Sequence, residues 1–128
     1  MNWLHDYADN GERAYFRPVG NTTAGELSDM TTAALERAHR HGCMEALIDV
    51  TRVYGFESPG PAYRRWIVRR WAQTVLCEIA IVVLCRDDQL LEGNPGLVAA
   101  MAEGLLAHVC TTEDEAIAWL DAFTAVRH

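Results

Sequence analysis

The ten residues from Ala62 to Trp71 hold the side chains of this sequence best suited to binding. They read Ala-Tyr-Arg-Arg-Trp-Ile-Val-Arg-Arg-Trp and contain four of the 11 basic residues and two of the four tryptophans. At 100° per residue, one helix face is an apolar stripe of Ile67, Val68, Trp71 and Val75. The opposite arc carries Arg65, Trp66, Arg69, Arg70 and Gln73. Arg64 falls inside the apolar stripe, which is an unusual place for a cation.

Two explanations of this segment, which we call the arginine helix, stay open at the level of sequence. In the first, its arginines pair with acids elsewhere on the protein and lay their stems along apolar surface. In the second, arginine and tryptophan form a docking face for a protein partner, because both residue types are enriched at such interfaces. The contact residues would then be Ser58, Tyr63, Arg64, Arg65, Trp66, Arg69 and Arg70.

The usual motifs for phosphate, dinucleotide and acyl chemistry are incomplete or missing. Gly55 and Gly60 have the spacing of a P-loop, but Pro61 and Ala62 follow where a lysine and a hydroxyl residue are needed. The sequence contains no G-x-G-x-x-G and no G-x-S-x-G. We therefore predict no cofactor and no enzymatic activity.

Histidines and acids give only weak indications of a metal or catalytic site. His39, His41 and Cys43 lie two residues apart, and side chains at that spacing on a helix do not converge. A metal site is not predicted. An acid–base site would require four side chains to lie close together in the fold, namely those of Glu57, Asp87, Asp88 and His108. Asp87 and Asp88 are otherwise typical of a solvated turn after a strand.

Composition excludes several classes of protein. The 128 residues contain 18 acids and 11 bases, for a formal charge of −7, and every base is arginine. Without lysine, a Schiff-base enzyme and a P-loop NTPase are excluded. The acidic balance argues against nucleic-acid binding, because it would repel a duplex. Half of the residues are apolar, as in ordinary folded domains, and the length predicts one domain.

The start of the chain and its cysteines indicate a cytoplasmic protein. No basic region followed by an apolar run marks a signal peptide at Met1. The longest apolar stretch, Ile79 to Cys85, is too short to cross a bilayer. The four cysteines form no C-x-x-C pair, and we expect them to be reduced and mostly buried. They are Cys43, Cys77, Cys85 and Cys110.

The pattern of apolar residues predicts the elements that must position these side chains. Residues 1–12 read as a loose lead-in, and residues 13–128 as a single domain. Strands are expected at 14–19, 44–50, 78–85 and 108–110, and helices at 23–41, 61–76, 97–106 and 116–123. Pro18 marks the first of these strands as an edge or a strand end. Such alternation implies an α/β fold with a mostly parallel sheet.

Two segments carry a resemblance to a known family. Residues 49–60, Asp-Val-Thr-Arg-Val-Tyr-Gly-Phe-Glu-Ser-Pro-Gly, resemble the D-L-S-x-V-x-x-M-D-S-S-G pattern of anti-sigma-factor antagonists. Residues 97–110 and 113–120 are similar to the last helix, strand and helix of SpoIIAA-like proteins, which often end in E-A-x-x-W-L. The resemblance, over about residues 13–123, is to the STAS and SEC14-like (SpoIIAA-like) domains of bacteria. It implies a sheet of four or five mostly parallel strands flanked by about four helices.

The resemblance also implies functions. In the antagonist branch, a partner kinase phosphorylates a serine that matches Ser58, although Pro59 stands where the pattern has a second serine. A non-enzymatic interaction or regulatory module with a protein partner is therefore the first hypothesis. The second is a carrier of a small apolar or anionic, lipid-like ligand in a cavity behind residues 56–68. A homodimer through Trp66 or through the edge strand near Tyr15 is a further expectation.

Overall fold

The elements of the fold are given by a computed structural model, which describes residues 2–8 as backbone, residues 11–55, 59–91 and 93–125 in full, and the backbone of residues 126 and 127. The strands are β1 Asn2–Ala8, β2 Arg13–Asn21, β3 Glu45–Asp49, β4 Val53–Tyr54, β5 Ala80–Leu84 and β6 Ala107–Cys110. The helices are α1 Ala24–Arg40, α2 Pro61–Val75, α3 Pro95–Glu103 and α4 Glu113–Arg127, and a 3-10 turn covers Asp87–Gln89.

The strands form a mixed sheet in the order β1-β2-β3-β5-β6. The short strand β4 pairs in parallel with the carboxyl end of β2. The pairs β2–β3, β3–β5 and β5–β6 are parallel, whereas β1 runs antiparallel to β2. Parallel strands need crossover connections, and α1, α2 and α3 supply them. The predicted α/β fold with a mostly parallel sheet and four helices is confirmed.

Two expectations about the first strands are wrong. Asn2–Ala8, read as part of a loose lead-in, is a strand whose pairing runs from Asn2 opposite Val19 to Ala8 opposite Arg13. Because β1 covers β2, Tyr15 lies on an interior strand and offers no edge to a second copy. Pro18 lies beyond the part of β2 that pairs with β3, so its missing N–H interrupts no hydrogen bond between those two strands.

Alternate residues of the central strands point into two separate apolar layers. Phe16, Ile48 and Ile81 face α1, α2 and α3, where the larger cluster of buried residues lies. Leu47 and Val82 face the other way and pack with Leu84, Cys110, Ala116 and Leu120 beneath α4. The central strands are therefore covered on both faces, as their continuous apolar sequence predicts.

A buried ion pair ties β2 and β3 to the last helix. Arg13 Nε donates to Glu45 Oε1 at 2.8 Å, and Arg13 Nη2 donates to Asp121 Oδ1 at 2.9 Å. Thr124 Oγ1 donates to the second oxygen of Glu45 at 2.7 Å. Burial acts to lower the pKa of Arg13, but hydrogen bonds to Tyr15, Asp121 and Glu45 outweigh it and raise that pKa. The Arg13 guanidinium is thus held in its charged form.

We expect Thr23→Ala to lower the free energy of unfolding by about 1 kcal/mol. Thr23 precedes α1, and its hydroxyl accepts from the backbone N–H of Glu26 at 3.1 Å. Alanine leaves that N–H without its cap. Urea unfolding measures the difference, and Thr23→Ser, which retains the acceptor, is the control. Equal stability of the alanine and serine variants would contradict this role.

Candidate functional site

The arginine helix forms as predicted and is α2. Gly60 and Pro61 start it, since the fixed φ of proline suits a first helical position and its missing N–H costs nothing there. Its buried residues are Val68, Trp71, Ala72 and Val75, which lie against the sheet. It ends at Val75, and the capping residue Leu76 adopts the left-handed conformation with φ of 53°. The predicted apolar stripe is confirmed.

The outer face of α2 carries a cluster of aromatic and cationic side chains. Trp66 is 49% exposed, and its ring centroid lies 5.4 Å from that of Tyr63. The guanidinium of Arg70 lies 5.4 Å from the Trp66 ring and also pairs with Asp29 of α1 at 2.8 Å. These contacts bring Tyr63, Trp66 and Arg70 together on one surface.

Two arginines of this face pair with acids on the neighbouring helices. Arg69 lies 3.3 Å from Glu103 of α3, and Arg70 contacts Asp29 of α1. Arg65 is exposed on the same face. The contacts of Arg69 and Arg70 agree with the first explanation of the arginine helix, in which its cations are matched by acids of the same chain.

Arg64 points away from this face and toward the sheet. Its Nε donates to the carbonyl oxygen of Pro59 at 2.8 Å, and its Nη2 donates to that of Gln89 at 2.6 Å. Burial lowers the pKa of the Arg64 guanidinium. Its place in the apolar stripe thus has a structural reason, because the guanidinium joins the segment between β4 and α2 to the 3-10 turn after β5.

Arg64 also lines a cavity of about 170 Å³ beneath α2. The cavity lies between the sheet and helices α1, α2 and α3. Its walls are mainly apolar and include Ile48, Ile67, Val68, Val83 and Leu97. Trp71 lines it too, and its indole N–H is buried without an acceptor among the described residues. Trp71 therefore contributes an aromatic wall, and its indole N–H is a donor that no described residue satisfies.

The loop after β5 holds the cavity mouth in place. Gln89, which lines the cavity, donates from Nε2 to the carbonyl oxygen of Val50 at 2.9 Å. Arg86 donates to the carbonyl oxygens of Thr51 at 2.7 Å and Val53 at 3.1 Å. Its guanidinium also lies 4.3 Å from the centroid of the Tyr54 ring. These contacts fix the turn after β3 against the loop after β5.

Sequence reasoning missed Gln89 and the cavity walls contributed by the sheet and α3. The signal for Gln89 was its position, because it follows a parallel strand at the carboxyl edge where ligands of α/β proteins bind. Ile48 and Val83 give no sequence signal of their own, since any buried strand residue has the same pattern.

Several predicted site residues are not brought together. His108 lines the cavity, but its ring stacks on Trp119 of α4 at 5.6 Å. Asp88 pairs with Arg86, which lowers the pKa of its carboxyl. Ser58 and Glu57 lie outside the described residues, so phosphorylation of Ser58 stays a prediction. Across the part of the chain that the structure describes, no group of three or more histidine, cysteine or acidic residues has a metal-binding arrangement.

We expect a thiol reagent to label Cys77 alone in the folded protein at pH 8. Cys77 is exposed, whereas Cys43, Cys85 and Cys110 are buried. Burial raises the pKa of Cys43 and Cys110 to about 11 and also raises that of Cys85, so few reactive thiolates form there. Labelling with Ellman's reagent should show one fast thiol, absent from Cys77→Ser, and four after unfolding. Two or more fast thiols in the native state would contradict the burial.

Comparison with solved structures identifies the architecture. A protein of the DUF3478 family from Shewanella loihica PV-4, described as uncharacterized with a SpoIIAA-like fold, matches 93% of this chain and 92% of its own. The identity is 20% and the TM-score 0.56. The anti-sigma factor antagonist SpoIIAA in its unphosphorylated form matches 94% of this chain and 98% of its own, with 14% identity and a TM-score of 0.53. The chain has the SpoIIAA-like fold.

The SpoIIAA-like fold confirms the architecture implied by the sequence resemblance. No family model matches the sequence, and a search of curated proteins found no match. Among the described residues, no helix is both long and apolar enough to cross a membrane. In this SpoIIAA-like fold, the arginine helix begins at the carboxyl edge of the sheet, and the cavity lies directly beneath it.

Proposed function

We propose that the chain is a non-enzymatic binding module that holds a small apolar ligand in the cavity beneath α2. The observation that carries the proposal is the cavity of about 170 Å³ with mainly apolar walls. Protein interiors are otherwise closely packed, with few voids larger than a water molecule. An apolar cavity of about 150 Å³ is known to stay dry and to bind benzene, so a space of this size is a usable site.

The position of the cavity supports the same proposal. It lies at the carboxyl ends of parallel strands, where ligands of open α/β sheets bind. The network of Arg86 and Gln89 around its mouth holds the surrounding loops in place. A preformed site of this kind loses little conformational entropy when a ligand enters.

Titration of the wild-type chain with benzyl alcohol, followed by NMR chemical shifts, tests the proposal. The largest shifts are expected at residues of the cavity wall such as Val83, Val68 and Leu97. Val83→Phe would place a larger ring in the cavity and should abolish the shifts. Val98→Phe is the matched control, because Val98 is exposed on α3 and is not part of the cavity wall. Shifts that survive Val83→Phe unchanged would place the ligand elsewhere and overturn the proposal.

The outer face of α2 supports a second candidate function, docking of a protein partner. The specific observation is the cluster of Tyr63, Trp66 and Arg70, because exposed tryptophan and arginine are the residues that most often dominate interfaces. Arg65 and Arg69 flank this cluster on the exposed side of the helix.

Affinity capture with charge-reversed variants tests the docking function. A partner that binds this face should be retained by wild type and lost from the Arg65→Glu, Arg69→Glu double variant. The Arg37→Glu, Arg40→Glu variant changes the same number of charges on exposed positions of α1 and should retain it. Retention of every partner by the first variant would exclude this face.

Sedimentation analysis of wild type and of Trp66→Ser tests the homodimer through Trp66. A dimer that uses this contact should dissociate in Trp66→Ser, and a dimer that persists in the variant would exclude the contact.

A further inference from the structure

The indole of Trp71 gives the cavity a polar feature that apolar packing does not explain. Trp71 lines the cavity and is only 9% exposed, and its Nε1 is buried without a hydrogen-bond partner among the described residues. A buried tryptophan usually places its N–H against an acceptor, because a donor removed from water and left unpaired destabilises the fold. An unpaired donor in the wall of a cavity indicates that the acceptor belongs to the molecule the cavity holds.

Other donors of the cavity wall already have acceptors within the chain. Thr31 donates its hydroxyl proton to a backbone carbonyl oxygen of α1 at 2.9 Å. Gln89 donates to a backbone carbonyl oxygen at 2.9 Å, and Arg64 donates to two of them at 2.8 and 2.6 Å. The N–H of Trp71 differs from these donors because no described residue accepts from it. Recognition of a polar atom on the ligand is therefore assigned to Trp71.

The apolar part of the wall makes water a poor occupant of this position. A buried water is held by about three hydrogen bonds, so a single indole N–H among hydrocarbon groups holds it weakly. Ile67, Val68, Val83 and Leu97 supply much of that hydrocarbon surface. A molecule with an apolar body and one acceptor satisfies both parts of the wall, because its body contacts these side chains while its acceptor pairs with the N–H.

We propose that the ligand is a small, uncharged carbonyl compound, such as a ketone or an ester, whose oxygen accepts a hydrogen bond from Trp71 Nε1. This inference rests on the proposed function and adds the recognised group of the ligand to it. A carbonyl oxygen accepts without donating, so it brings no further donor that would need a partner inside the cavity. A charged group would lose its hydration among mainly apolar walls, which favours an uncharged molecule.

Titration of the full chain with a matched pair of probes tests the hydrogen bond. Acetophenone carries a carbonyl group, and α-methylstyrene has nearly the same shape with a methylene group in place of the oxygen. The proton signal of the Trp71 indole N–H, assigned in the wild type by triple-resonance NMR, reports on the contact directly. Acetophenone should move this signal downfield, because a hydrogen-bonded proton is deshielded, and α-methylstyrene should bind without a comparable downfield shift.

Variants then assign the recognition to Trp71. Trp71→Phe removes the N–H and part of the ring, and the added space affects the two probes alike because they have the same shape. The affinity for acetophenone divided by that for α-methylstyrene should fall about tenfold, as expected when a carbonyl oxygen is left unpaired inside a protein. Trp66→Phe is the matched control, since Trp66 is exposed on the outer face of α2 and is not part of the cavity wall, and it should leave this ratio unchanged.

The outcomes separate the recognised group from the proposed function. If both probes bind and the Trp71 signal responds to them equally, the hydrogen bond is wrong and the apolar site stands. If benzoate, added as a charged probe of similar size, binds more tightly than acetophenone, the uncharged class is wrong. If neither acetophenone nor α-methylstyrene binds, the proposed function and this inference both fail. The wild-type titrations decide these outcomes even if Trp71→Phe does not fold.

Discussion

Glu45→Ala is expected to lower the free energy of unfolding by about 3 kcal/mol, because breaking a buried ion pair typically costs about 3–5 kcal/mol. The side chains of Arg13 and Glu45 are 4% and 2% exposed, so neither charge is solvated by water. Alanine leaves the guanidinium buried beside a void. Asp121 still contacts Arg13 at 2.9 Å, which places the expected loss at the lower end of the range. Chemical denaturation with urea measures it.

Removing both charges is the informative control for this prediction. The double variant Arg13→Met, Glu45→Leu eliminates the uncompensated charge and should be more stable than Glu45→Ala, since apolar pairs often replace buried ion pairs at little cost. A Glu45→Ala variant within about 1 kcal/mol of wild type would show that the pair contributes little. That result would mean that water or Asp121 stabilises Arg13 without Glu45.

Leu120→Ala is expected to lower the free energy of unfolding by about 3 kcal/mol, within the usual range for a buried leucine. Leu120 is fully buried and packs with Leu47, Val82 and Ala116 in the layer beneath α4. Its truncation leaves a void in the smaller of the two apolar layers, where few residues can move to fill it. Thermal and urea unfolding both report the loss.

The same substitution on the surface provides the comparison. Leu106, which directly precedes β6, is 52% exposed, and Leu106→Ala should change stability by less than about 0.5 kcal/mol. Similar losses for the two variants would contradict the burial of Leu120. A loss at Leu120 that also abolished benzyl alcohol binding would show that the layer beneath α4 supports the cavity on the other face.

The parts of the fold with a strong apolar pattern could be predicted from the sequence. The continuous apolar run that contains β5 and the helical spacing of the stripe on α2 place these elements within a few residues of their observed bounds. The first strand could not be predicted in this way. Asn2–Ala8 mixes polar with apolar residues, and its strand conformation depends on pairing with β2, a tertiary contact that local sequence does not encode.

The candidate site was predictable only in part, for a related reason. The position of Arg64 in the apolar stripe indicated that this cation had a special environment. The cavity itself is the space left between α1, α2, α3 and the sheet, and it depends on how these elements pack. Likewise, the pairing of Arg13 with Glu45 joins residues 32 positions apart, and the alternation of strand residues does not reveal it.

The contact of Arg13 with α4 affects the order in which parts of the fold can form during synthesis. Asp121 and Thr124 follow Arg13 by 108 and 111 residues, so they leave the ribosome long after β2 and β3. Until α4 docks, the ion pair of Arg13 and Glu45 lacks the residues that seal it from water, and Leu47 and Val82 stay open on the same side of the sheet. The nascent chain therefore presents a half-covered sheet until α4 has been synthesised and has docked, and protection by a chaperone would have its greatest effect in that interval.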